Sequence, residues 1–188
     1  MKILVVFDSR HGNTMRLAEA VAEGAQSVSG AEVRVKRAPA YGPESSPSKD
    51  EKVAATRKKF LDIPQVELED FAWADGIALG SPTRFGNMTA SLKAVIDGLS
   101  GLWMSGATIG KVAGCFCSTS SMHGGQETTL VSMWFPLIHL GMMVIGVPYS
   151  EQRLFSTTRG GSPYGPSSVS GPAANQGPDE DELAIAVT

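Results

Sequence analysis

The chain has 188 residues, with 16 Lys and Arg against 19 Asp and Glu, a net charge of −3 and 42% hydrophobic residues. That length suits one domain, which buries roughly 70% of the surface its unfolded form exposes and needs no staples. The charge balance excludes a nucleic-acid binder, which needs a clustered basic surplus; the longest basic cluster, Arg57-Lys58-Lys59, reads as a solvated face.

The first apolar run, "KILVVFD" (2–8), is too short for the core of a signal peptide and reads as a strand ending in Asp8. A polar loop follows, and a helical pattern covers 14–28. "AEVRVKR" (31–37) alternates apolar and polar residues, so one of its faces meets water and it belongs at a sheet edge. Residues 39–66, rich in Pro, Ser and charge, form an insertion with one short helix at about 50–60. "GIALGS" (76–81), "KVAGCFCS" (111–118) and "MMVIGV" (142–147) are nearly continuously apolar, as parallel strands buried on both faces are. Helices are predicted at 88–100 and 125–140. The stretch "WFPLIHLGMMVIGV" (134–147) is broken by Pro136, His139 and Gly141 and falls short of a membrane span. Residues 156–179 read as a long Gly-, Ser- and Pro-rich loop, and "DELAIAVT" as a short C-terminal helix.

This alternation predicts one α/β domain over 1–188: a doubly wound, five-stranded parallel sheet of order 2-1-3-4-5, with its ligand crevice beside strand 1 where the chain reverses direction. Cys115 and Cys117 stand on one face of strand 4. They are too few for a zinc site, no metal ligand set is found, and they read as core residues of a cytoplasmic protein.

Three loops converge at the carboxyl end of that sheet. The first, Ser9-Arg10-His11-Gly12-Asn13-Thr14, joins a central strand to a helix N-terminus, where unpaired N–H groups and the helix dipole attract an anion. Gly12 allows a close turn, and Asn13 or Thr14 can cap the helix. Neither the nucleotide-triphosphate loop nor the dinucleotide fingerprint is present, so a terminal monophosphate fits best. The second, Pro82-Thr83-Arg84-Phe85-Gly86-Asn87, can offer N–H groups to a heterocycle with Arg84 or Phe85 against its ring. The third, Ser118-Thr119-Ser120-Ser121 and on to Gly124, adds donors.

The first loop, read with the other two, resembles those of flavodoxin-like FMN proteins. "PTRFGN" (82–87), "GLW" (101–103), "GGQE" (124–127) and "RGGSPYG" (159–165) in that order are more specific and resemble the WrbA family of NAD(P)H:quinone oxidoreductases. The resemblance runs from residue 1 to about 186, with the insertion after strand 2. It implies FMN as cofactor, NAD(P)H and a quinone as substrates, and a homotetramer whose active site is completed at the subunit interface.

Carried over residue by residue, 9–14 would hold the phosphate and 82–87 would line the isoalloxazine ring. Residues 118–121 with Gly124 would meet its pyrimidine edge, where fixed donors stabilise the charge of reduced flavin. Trp103 of a neighbouring subunit would wall the pocket. Where the family often has two adjacent histidines this chain has His139-Leu140, so His139 is either a substrate contact or a helix-end or core histidine. No residue is assigned catalysis beyond positioning the flavin. Two other uses of this strand order fit less well. A flavodoxin carrier is usually strongly acidic with large aromatics around the flavin, and a receiver domain needs an Asp where strand 3 here ends in Gly80-Ser81.

Overall fold

A computed structural model describes residues 1–41 and 49–188, so the part of the predicted insertion at 42–48 lies outside the described residues. Strands β1 (Lys2–Phe7), β2 (Glu32–Arg37), β3 (Gly76–Pro82), β4 (Val112–Thr119) and β5 (Met143–Val144) form a parallel sheet in the order β2-β1-β3-β4-β5. A further strand, β6 (Ser167–Val169), also pairs with β4. Val5 stands opposite Val35 on one side and Ala78 on the other, and Leu79 opposite Cys115.

The period of two along each strand sorts the core into two layers. Leu4, Val6, Leu79, Cys115 and Cys117 face α4 (Ala90–Asp97) and α6 (Gln126–His139), which contribute Leu92, Ile96, Leu130 and Met133. Val5, Phe7 and Phe116 face α1 (Asn13–Ser27), which contributes Leu17 and Ala18. Both cysteines are fully buried, and burial pushes their thiols well above the usual range, so they are packing residues and not nucleophiles.

The inserted segment carries α2 (Glu51–Asp62), started by Asp50, whose carboxylate accepts from Lys52 N at 2.9 Å and Val53 N at 3.1 Å. Phe60 of α2 packs edge-on against Phe7, ring centres 5.5 Å apart. The expectation of a solvated Arg57-Lys58-Lys59 face holds for the two lysines only. Three residues before Phe60, Arg57 lies on the helix's inward face and is mostly buried.

Several local expectations are corrected. A second short helix, α3 (Leu68–Trp73), precedes β3; a reciprocal cap between Glu67 and Asp70 defines it, in a span too short to show periodicity. The helix expected over 88–100 is two helices, α4 and α5 (Ser100–Met104), with the break at Gly98-Leu99. The fifth strand ends after Val144 because a second pass of chain crosses there: Val147 N donates to Pro163 O, and a Cβ on Gly146 would sit 1.9 Å from that carbonyl. The rest of the fifth position is filled by β6, inside the supposedly structureless 156–179. Ser167 and Ser168 are buried there, and Ser167 Oγ accepts from Gly161 N and bonds Gln126 Oε1.

Helix α7 (Glu180–Val187) packs on α1, with Ile185 and Ala186 buried. Beside it the same sheet face opens in a groove of about 610 Å³ over Ile3, Ala78, Gly114 and Ile145.

Candidate active site

The carboxyl ends of β1, β3 and β4 surround a cavity of about 350 Å³, within the size range of small-molecule sites. Its floor is the loop after β1. Ser9 Oγ accepts from Gly12 N at 3.2 Å and Met15 N at 3.3 Å, folding the loop over the start of α1. The helix cap is Gly12 at φ +93°, not Asn13 or Thr14 as expected, with Ser9 Oγ taking the Gly12 and Met15 N–H groups. A Cβ on Gly12 would sit 2.8 Å from Thr56 Cγ2, so φ and space both require glycine. Asn13 and Thr14 then turn into the cavity, and Thr14 Oγ1 meets Ser118 Oγ at 2.8 Å.

The second wall leaves β3 at Pro82. Thr83 N donates to Ser118 O at 2.8 Å, and Thr129 Oγ1 of α6 donates to Thr83 Oγ1 at 2.8 Å. Residues 84–87 form a tight turn, with Arg84 and Asn87 bonded both ways and both central residues at positive φ. Phe85 accepts φ +54° and stands fully exposed at the tip, a conformation rare for a bulky side chain and a sign of a constrained functional turn.

The third wall is Ser118, Thr119 and Ser120, with Thr119 Oγ1 donating to Ser121 O at 2.8 Å. A fourth, which sequence reasoning missed, is Ser170 with residues 172–174. Ser170 anchors it by donating N and Oγ to Thr119 O, at 2.8 and 3.0 Å. From behind, Arg159 donates to Val169 O and Gly177 O and pairs with Asp179. Fully buried Glu182 accepts from Gly160 N, Val169 N and Asp179 N at 2.8–2.9 Å. Burial still raises its carboxyl pKa above the ordinary range, against those donors. The only sequence hint was "SSVS" (167–170), too short and too polar to read as a strand.

Ser9, Arg10, His11, Asn13, Thr14, Pro82, Thr83, Arg84, Ser118, Thr119 and Ser120 therefore lie together around one space. Gly12, Gly86 and Asn87 shape its loops, while Ser121 and Gly124 close a turn behind the third wall through Gly124 N to Ser121 O. Phe85, also expected against the ring, does not line the cavity and stands exposed at the tip of its turn. Trp103 on α5 and His139 at the end of α6 are both exposed and neither lines the cavity. His123 is also exposed on its turn.

The described lining carries two arginines, hydroxyls and the N-terminal end of α1 but no carboxylate. Such a donor set suits an anionic group at the floor and a polar-edged ligand between the walls. Among the described residues no cluster of His, Cys, Asp and Glu is arranged to hold a metal ion.

Residues 1–151 match the family described as NADPH-dependent FMN reductase. The chain is 47% identical over 195 residues to the NAD(P)H dehydrogenase (quinone) of Methanosarcina barkeri, covering 99% of this chain and 92% of that protein. It is 43% identical over 188 residues to the protein of the same name from Geotalea uraniireducens, covering 99% and 92%. Among solved structures, a flavodoxin, WrbA-like protein from Agrobacterium tumefaciens superposes with a TM-score of 0.65 at 23% identity, over 99% of this chain and 90% of that one. A flavodoxin from the Archaea gives 0.62 at 21%, over 100% and 92%. Those two show the shared flavodoxin-like fold.

Proposed function

The chain belongs to the NADPH-dependent FMN reductase family, and from that membership we infer that it is an FMN-dependent NAD(P)H:quinone oxidoreductase. The observation that carries the reading is the cavity's donor set, a phosphate-sized floor joined to a hydroxyl- and N–H-lined slot, in a chain close over its full length to NAD(P)H dehydrogenases (quinone).

FMN, when bound, would supply the two-electron chemistry between NAD(P)H and the quinone, which with one proton from solvent becomes the hydroquinone. The chain's residues bind and orient. Ser9, Thr14 and the α1 N–H groups hold the phosphate, with Arg10 beside them. Pro82, Thr83 and Arg84 flank the ring, and Ser118 to Ser120 offer donors to its pyrimidine edge. Ser170 and residues 172–174 form the remaining wall. Catalysis on this view is positioning and fixed dipoles, without a side-chain nucleophile. The two substrates share one mouth and enter it in turn.

The active assembly is a homotetramer in which Trp103 of one subunit faces the flavin of another. What supports this is an exposed apolar set on α5 and α6: Trp103 at 58%, Met104 at 81%, Phe135 at 62% and Ile138 at 57%. Thr108 Oγ1 to Leu140 O and Gly110 N to Gly141 O tie the α5 side of this set to the end of α6. Exposed patches of large apolar residues mark association surfaces. A cytoplasmic setting is supported by the two free thiols at Cys115 and Cys117.

The test is spectroscopic. The purified protein reconstituted with FMN is expected to be yellow, to bleach anaerobically on adding NADH or NADPH, and to recover its colour on adding benzoquinone. Protein that binds FMN without bleaching under either nucleotide overturns the oxidoreductase reading.

A further inference from the structure

Helix α2, part of the insertion after β2, reaches the cavity floor from behind. Arg57 Nη1 donates to Ser9 O at 2.8 Å and stands 3.5 Å from Asp8 Oδ1. Its guanidinium carbon lies 4.6 Å from the centre of the Phe60 ring, and Phe60 is itself locked against Phe7. The Asp8 side chain is 1% exposed and that of Arg57 12%, so this ion pair is shielded from water where charge interactions are strong.

Asp8 closes β1 directly before the loop, and its Oδ1 accepts the Ser9 N–H at 2.8 Å. The carboxylate thereby fixes the loop's first turn, but it also places a buried negative charge beside an anion site. Uncompensated, that charge opposes a phosphate by like-charge repulsion. Arg57 does not line the cavity, so its effect on a ligand passes through Asp8 and Ser9.

We propose that Arg57 is a positioning residue for the flavin phosphate. By offsetting Asp8 and holding the Ser9 carbonyl, it lets one loop keep a structural carboxylate and still accept a phosphate dianion. The inserted segment is then a working part of the cofactor site. This rests on the FMN reading above.

The experiment is titration of the flavin-free protein with FMN and with riboflavin, which lacks the phosphate, followed by flavin fluorescence. Arg57→Gln is expected to weaken FMN about 10- to 100-fold and riboflavin less than about threefold, because repulsion acts on the phosphate alone. Arg57→Lys keeps the charge and retains most FMN affinity. Asp8→Asn keeps the acceptor for Ser9 N–H, and in that background Arg57→Gln is expected to cost FMN less than about threefold, since no carboxylate remains to offset. The double variant also serves if Arg57→Gln alone fails to fold. Equal losses for both flavins in Arg57→Gln, no loss for either, or an undiminished FMN loss in the Asp8→Asn background would each overturn the proposal while the flavin reading stands. Wild-type protein that binds neither flavin would overturn both.

Discussion

Thr14 Oγ1 and Ser118 Oγ meet at 2.8 Å in a buried bond that joins the first turn of α1 to the end of β4, 104 residues along the chain. It spans the β3 strand between them and holds two walls of the cavity at a fixed separation. Thr14→Val or Ser118→Ala leaves the remaining hydroxyl without this partner. Each is expected to weaken FMN by about 1–2 kcal/mol, and Ser9→Ala with Thr14→Ala by about 1–3 kcal/mol. FMN should also bind more tightly than FAD, because the floor closes around a terminal phosphate. Fluorescence titrations of the flavin-free protein measure all of these, and equal affinity for FMN and FAD would remove the monophosphate argument.

Kinetically, one cavity mouth serving two substrates predicts a ping-pong mechanism. NAD(P)+ leaves before the quinone enters, so double-reciprocal plots at several fixed quinone concentrations should be parallel. Lines that intersect to the left of the axis would mean that both substrates are bound together.

Trp103 is exposed on a single chain, so its removal should leave the fold and the FMN affinity nearly unchanged. If it faces a neighbour's flavin, Trp103→Ala raises KM for quinone about tenfold, equivalent to about 1.4 kcal/mol of lost binding. Dilution should lower activity as subunits separate. A monomer by sedimentation at micromolar concentration, with full quinone turnover, would remove the interface.

Asp70 binds the edge strand to α3 through Arg34 at 3.1 Å and Lys36 at 3.3 Å, and accepts from Glu67 N. Burial by itself would raise its pKa, but the Glu67 N–H, Arg34 and Lys36 together outweigh burial and hold it below the usual value. A depressed folded-state pKa contributes stability that is fully present above the unfolded value, about 3.9, and is lost as pH falls through the folded value. Urea melts should therefore show Asp70→Asn less stable than wild type by about 1–3 kcal/mol at pH 7, with the difference shrinking below about pH 4. A difference independent of pH would mean that the carboxylate's charge is irrelevant.

The sheet order, the edge position of β2 and the convergence of three polar loops are legible in the sequence. These follow from signals carried within single segments: continuous apolar runs for β1, β3 and β4, alternation in "AEVRVKR", and turn residues at each strand end. The shared face of Cys115 and Cys117 follows from the strand period alone.

What each loop meets is set by packing between distant segments. Strand β6 has three residues, and the hydroxyls of Ser167 inside it and Ser170 just after it are satisfied by partners far along the chain, Gln126 Oε1 and Thr119 O; no local pattern records such a bond. Arg57 reads locally as one of three adjacent cations, and it turns inward because Phe60 docks on Phe7 and brings the guanidinium to Ser9 and Asp8. The cap of α1 is Gly12, not Asn13 or Thr14, with Ser9 Oγ taking the Gly12 and Met15 N–H groups. In each case the side chain's chemistry was visible in the sequence, but its partner was chosen by packing between segments whose separation the local code does not carry.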